Sequence, residues 1–132
     1  MKDYYQKRKG SFTLPEKIYR KVRSEIAAYP EFVRTLENYS TLSELNIKEK
    51  NTVDKVVAEH YVNNIKAALE SIPERFREPV FEHCALGVDY LELEDRYYMS
   101  ASSLKKYVQM YVFGYATITG DNIDVEMGKS SS

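Results

Sequence analysis

SIPERFREPVFEHCALGVDYLELEDRYYMSASSLKKYVQMYVFGYAT, residues 71–117, sets out three helix starts in close succession. Ser71-Ile72-Pro73-Glu74 joins a cap residue to an early Pro and a Glu that can reach back. Asp89-Tyr90-Leu91-Glu92 repeats the pattern with an acidic cap, and Ser100-Ala101-Ser102-Ser103 puts a Ser cap at the head of an amphipathic run. The spacing predicts helices at about 73–86, 90–97 and 101–117, with Gly87 closing the first. Pro79 lacks a backbone N–H, so it predicts a kink or a late start in that first helix. A short helix, a tight turn and a longer helix led by Ser is the outline of a helix-turn-helix. On the last helix, Leu104, Val108, Tyr111, Val112 and Tyr115 share one side. Ala101, Ser102, Lys105, Lys106 and Gln109 share the other, near the N-terminus. A recognition helix presents small hydrogen-bonding and cationic groups to DNA from that position, and an ordinary solvated face has the same pattern.

Upstream, the pattern stays helical. Thr13-Leu14-Pro15-Glu16 reads as a further capping box, and Ile18, Val22, Ile26, Tyr29, Val33 and Leu36 form one stripe. Pro30 predicts a break at Tyr29, with the second piece ending near Tyr39 and residues 40–51 forming a linker. Thr52 is placed to cap the next helix, which should run to about Glu70 with Val53, Val57, Tyr61, Ile65, Ala68 and Leu69 buried. The expected organisation is a flexible basic arm at 1–12, a helical region at 13–70, a helix-turn-helix at 71–119 and a disordered tail at 120–132. The fold class is all-α, a small helical bundle. No internal repeat is evident.

The chain has 132 residues, 43% of them hydrophobic and 30% charged, which fits one soluble globular domain. Apolar runs are too short for a transmembrane helix or a signal peptide, and the lone Cys84 excludes an internal disulfide; a cytoplasmic location is expected. The net charge is −1, but it is unevenly spread. Residues 1–23 hold eight basic residues and two acids, whereas residues 51–132 hold eight bases and thirteen acids. The N-terminal part therefore suits an anionic partner, with a solvated helix face as the plainer alternative.

Several short motifs resemble those of phage late-operon regulators of the RinA/ArpU type, whose C-terminal helix-turn-helix is like the promoter-reading domain of sigma factors. They are the Ile72-Pro73-x-x-Phe76-Arg77 opening, Gly87-x-x-Tyr90, and Met99-Ser100-Ala101-Ser102-Ser103-Leu104-Lys105-Lys106. Upstream, Glu25-Ile26-Ala27-Ala28-Tyr29-Pro30-Glu31 is similar to the N-terminal helix of those regulators. The resemblance implies double-stranded DNA binding and transcription control, with RNA polymerase as a further partner. The expected DNA contacts are Ser102, Ser103, Lys105, Lys106 and Gln109, with Lys7, Arg8 and Lys9 of the basic arm as non-specific phosphate contacts. Two departures stand out. Glu94 occupies the middle of the first motif helix, where a small residue is usual, and Tyr98 replaces the turn Gly. A Glu there must turn outward or find a partner such as Arg96 or a Lys. Residues 71–117 carry five bases and seven acids, so the module would bind DNA weakly alone; the arm or a homo-oligomer would supply the rest. Two other readings remain: a small terminase-like packaging subunit, and an adaptor that binds RNA polymerase or another basic protein.

Nothing in the chain reads as an enzyme, a metal site or a cofactor site. His60, His83 and Cys84 lack zinc-ligand spacing, and Glu92, Glu94 and Asp95 read as a solvated acidic helix. No phosphate-cradling Gly loop or nucleophile motif occurs. Tyr107, Tyr111 and Tyr115 should form a ridge that is mostly core with phenol tips reaching solvent, or else a partner surface.

Overall fold

The structure, a computed structural model, describes residues 14–44 and 52–121. Those residues form six α-helices and no strand: α1 (Glu16–Ala27), α2 (Tyr29–Glu44), α3 (Thr52–Ala67), α4 (Glu74–Leu86), α5 (Tyr90–Tyr97) and α6 (Ala101–Thr119). A 3-10 turn, Ala68–Ser71, links α3 to α4. The protein is all-α. The basic arm, with Lys7, Arg8 and Lys9, and most of the C-terminal tail lie outside the described residues.

The most apolar helix, α6, sits at the centre and packs against α1, α3, α4, α5 and the 3-10 turn. Its Leu104, Val108, Tyr111, Val112, Tyr115 and Ala116 are fully or almost fully buried, at the i, i+3, i+4 spacing that puts them on one side. They meet Val22 and Ile26 of α1, Ile65 of α3, Phe76, Val80 and Cys84 of α4, and Leu93 of α5 in one cluster. Each large aliphatic side chain so buried contributes about 1.5–3 kcal/mol. The core thus runs through the 13–70 and 71–119 segments alike.

The tyrosine ridge differs from its expectation. Tyr111 and Tyr115 are wholly buried, with no phenol tip in solvent. Each hydroxyl instead ties α6 to a neighbour. Tyr111 donates to the Ile65 carbonyl (2.7 Å), close to the end of α3, where helix carbonyls run out of intrahelical donors. Tyr115 donates to Glu25 of α1 (3.0 Å). Burial holds both phenols well above their ordinary pKa, so they remain donors.

Several expected boundaries shift for identifiable reasons. The break between α1 and α2 falls at Ala28 rather than Tyr29. Ala28 closes α1 through Ser24 and Glu25, and its carbonyl accepts from Glu31 (2.9 Å) and Phe32 (3.2 Å) to open α2. Pro30 then lies in the first turn of α2, where a missing N–H leaves no bond unmade. With no breaker after it, α2 continues to Glu44, so residues 40–44 of the expected linker are helical, and the rest of it lies outside the described residues. On α3 the buried side is Ala58, Val62 and Ile65; Val57 is 43% exposed, and Tyr61 is half-buried, stacked on Phe32 of α2 (4.6 Å between ring centres). That helix ends at Ala67, and the 3-10 turn replaces its expected last turn. The Ser71 capping box does not form either. Ser71 donates back to the Ala68 carbonyl (2.6 Å), and α4 begins after Pro73 without a side-chain cap. Pro15 precedes α1 in the same way. Arg77 fixes the 3-10 turn to α4 by donating to the Leu69 (2.9 Å) and Ile72 (3.0 Å) carbonyls. Helix α4 runs through Pro79 and ends, as expected, at Gly87 in the left-handed conformation.

Gly114 lets α6 lie against the 3-10 turn. A Cβ there would collide with the Ser71 hydroxyl and stand 2.7 Å from the Ser71 Cβ. Gly→Ala inside a helix is ordinarily stabilising by about 1 kcal/mol. Gly114→Ala is expected to reverse that sign and destabilise by about 1–3 kcal/mol, the range for overpacking. Urea denaturation of the variant checks it, and a gain in stability would show that α6 does not approach the turn this closely.

Candidate nucleic-acid interface

The α5–turn–α6 unit is fixed by two side-chain caps, both legible in the sequence. Asp89 accepts from the Glu92 N–H (3.0 Å) at the head of α5, and Ser100 accepts from the Ser103 N–H (3.2 Å) at the head of α6. Between them Tyr98 closes α5 with φ 56° and ψ 47°, the left-handed conformation in which glycine is usual. Its ring is 90% exposed.

Glu94 does not pair with Arg96 or a Lys. Its carboxylate crosses the turn and accepts from the Ala101 N–H (2.7 Å), the first backbone donor of α6. A helix N-terminus favours an anion, so the carboxylate is compensated without a cation. The same contact fills a place that a DNA phosphate could take. Arg96 instead bridges Glu82 of α4 (2.8 Å) and Glu92 of α5 (3.0 Å). Tyr97 also donates to Glu82, so this one carboxylate of α4 holds two consecutive residues at the end of α5.

Over the first turns of α6, Ser102, Lys105, Lys106 and Gln109 are exposed, and Ser103 is half-buried with its N–H engaged by Ser100. The first four line a cleft of about 440 Å³ together with Tyr19 of α1, Tyr90 of α5 and Val108. The Lys105 Nζ stands 5.4 Å from the centre of the Tyr90 ring, and the Lys106 Nζ stands 5.4 Å from that of Tyr107. Neither lysine has a carboxylate within 4.0 Å among the described residues. Sequence periodicity could not find Tyr19 or Tyr90, because they reach the cleft from other helices.

Some other cations are engaged, whereas Lys17, Arg34, Lys55, Lys66 and Arg75 also have no carboxylate within 4.0 Å among the described residues. On α1, Arg20 pairs with Glu16 (2.6 Å) and Lys21 with Asp121 (2.9 Å). Arg23 is half-buried and donates to the Tyr19 hydroxyl (3.0 Å), with no carboxylate within 4.0 Å among the described residues.

His83 and Cys84 have structural surroundings. Burial pushes the Cys84 thiol up to about 11, which keeps it protonated. Burial lowers the His83 pKa; its Nδ1 lies 2.7 Å from the Val88 carbonyl and its ring stacks on Tyr90 at 4.0 Å. Among the described residues no three His, Cys, Asp or Glu side chains gather as a metal site, and no helix is long and apolar enough to cross a membrane.

No protein-family model, curated protein or solved structure matches the chain.

Glu94 and Tyr98 provide opposite tests of this turn. Tyr98→Gly is expected to stabilise by about 0.5–1 kcal/mol, the relieved left-handed strain less the entropy of a glycine. Glu94→Ala is expected to cost about 1–2 kcal/mol through the uncapped Ala101 N–H. Thermal unfolding of both variants checks the pair; two changes of the same sign would contradict the geometry described for the turn.

Proposed function

We propose that the protein is a DNA-binding transcription regulator of phage or prophage type, cytoplasmic, acting on a late operon. In this reading α5 and α6 are a sigma-like helix-turn-helix, and α6 reads the major groove. The observation that carries it is the pair Lys105 and Lys106, with no carboxylate within 4.0 Å among the described residues and flanked by exposed Ser102 and Gln109 on the leading part of a capped helix. Amide and hydroxyl groups suit base edges and lysines suit phosphates. The resemblance of residues 71–117 to the late-operon regulators supplies the biological role.

Because Glu94 occupies the α6 N-terminus, the contact to phosphate falls to side chains beyond it. Lys105→Ala with Lys106→Ala is therefore expected to weaken duplex binding and flatten its salt dependence by about two in log–log slope. Fluorescence anisotropy across a salt series reads both quantities. An unchanged slope would remove α6 from the DNA.

A protein-binding role is favoured separately by α5. Leu91 (74% exposed) and Asp95 lie at i and i+4 on its outer side, and Tyr98 is exposed just past its end. An exposed apolar and acidic stripe beside a DNA reader suits contact with RNA polymerase. Weak binding by one module also suits a homo-oligomer that spans two half-sites.

A further inference from the structure

The cleft between α1 and the leading part of α6 holds more donor chemistry than a helix face alone. Lys105 and Lys106 contribute two ammonium groups, and Gln109 and Ser102 contribute an amide and a hydroxyl. Tyr19 stands on the opposite wall. Its oxygen already accepts from Arg23, so the remaining hydroxyl proton is the group it has to give. Arg23 thus fixes which way Tyr19 donates and adds positive charge behind the wall. Tyr90, raised to about 12 chiefly by burial, stays protonated at neutral pH and keeps negative charge out of the cleft. The result is a concave site with cations, neutral donors and no lining carboxylate. A half-buried guanidinium with no carboxylate within 4.0 Å among the described residues raises the potential there, since burial weakens solvent screening.

We propose that this cleft is a phosphate-binding site, in which Lys105, Lys106 and the Arg23-oriented hydroxyl of Tyr19 hold one phosphate group. The inference rests on the DNA reading for the source of that phosphate, a phosphodiester of the duplex, which would make α1 part of the reading surface. A free phosphomonoester offers the same oxygens, and the two sources are separable by experiment.

The test uses the full chain with isotope-labelled tyrosine rings, followed by NMR. It is titrated first with inorganic phosphate against a chloride control at equal ionic strength, then with a random-sequence duplex. Tyr19→Phe keeps the ring and removes the donor; Arg23→Gln removes the charge, with circular dichroism to verify folding. Saturable shifts at Tyr19 and Tyr90 are expected with phosphate and not with chloride. Either substitution should weaken phosphate binding about tenfold, as for one charge-assisted hydrogen bond. A smaller duplex salt slope in Arg23→Gln, by about one, identifies the phosphodiester as the occupant. Phosphate shifts without duplex binding would support the site with a free phosphate and remove the DNA reading. Duplex binding that neither substitution alters, with phosphate no different from chloride, would overturn the site and leave the DNA reading standing. If Arg23→Gln misfolds, Tyr19→Phe decides alone: unchanged phosphate affinity overturns the proposal.

Discussion

Burial of one side of α6 organises the other helices of the protein. Val108, Tyr111, Val112 and Tyr115 give the other helices a common surface, and two phenolic hydroxyls fix how α1 and α3 lie on it. Tyr111 and Tyr115 combine large apolar area with one directional bond each, and burial makes those bonds costly to break. The approach at Gly114 adds a steric limit, because α6 meets the 3-10 turn where only a residue without a side chain fits. The helix is therefore held along its middle and C-terminal part, while its leading face is left for other work.

That leading face is shaped by what its neighbours take away. Glu94 occupies the helix N-terminus, Arg96 is drawn into a bridge between α4 and α5, and Arg77 is spent on the backbone of the 3-10 turn. Of the five bases between residues 71 and 117, these geometries withdraw two from solvent partners. Lys105 and Lys106 keep theirs open. A local excess of acid is then compatible with a positive cleft, because Glu82, Glu92 and Glu94 are each committed to a structural partner. Net charge describes a segment, and pairing determines which charges a ligand meets.

The fold was legible where local chemistry acts alone. Asp89, Ser100 and Gly87 stop or start helices through their own backbone neighbourhood, and each does so here. Reading failed where tertiary packing decides. Ser71 had the form of a cap residue but turned back to Ala68, and the buried side of α3 lies at Ala58 and Val62 rather than Val57. The position of Glu94 marks it as anomalous, yet its partner is a backbone N–H seven residues on, which no side-chain pairing rule points to. Of the cleft, the α6 wall was read directly from helical periodicity. Tyr19, Tyr90 and the Arg23 behind them come from α1 and α5, and only folding brings them there.

The proposed role requires that the leading face of α6 meet DNA. Its most direct test is backbone amide NMR of the full chain, titrated with duplex DNA at low salt. Perturbations are expected to concentrate at residues 101–109, with α2 and α3 largely silent. Perturbations centred on α2 or α3, or no change at any salt concentration, would contradict it.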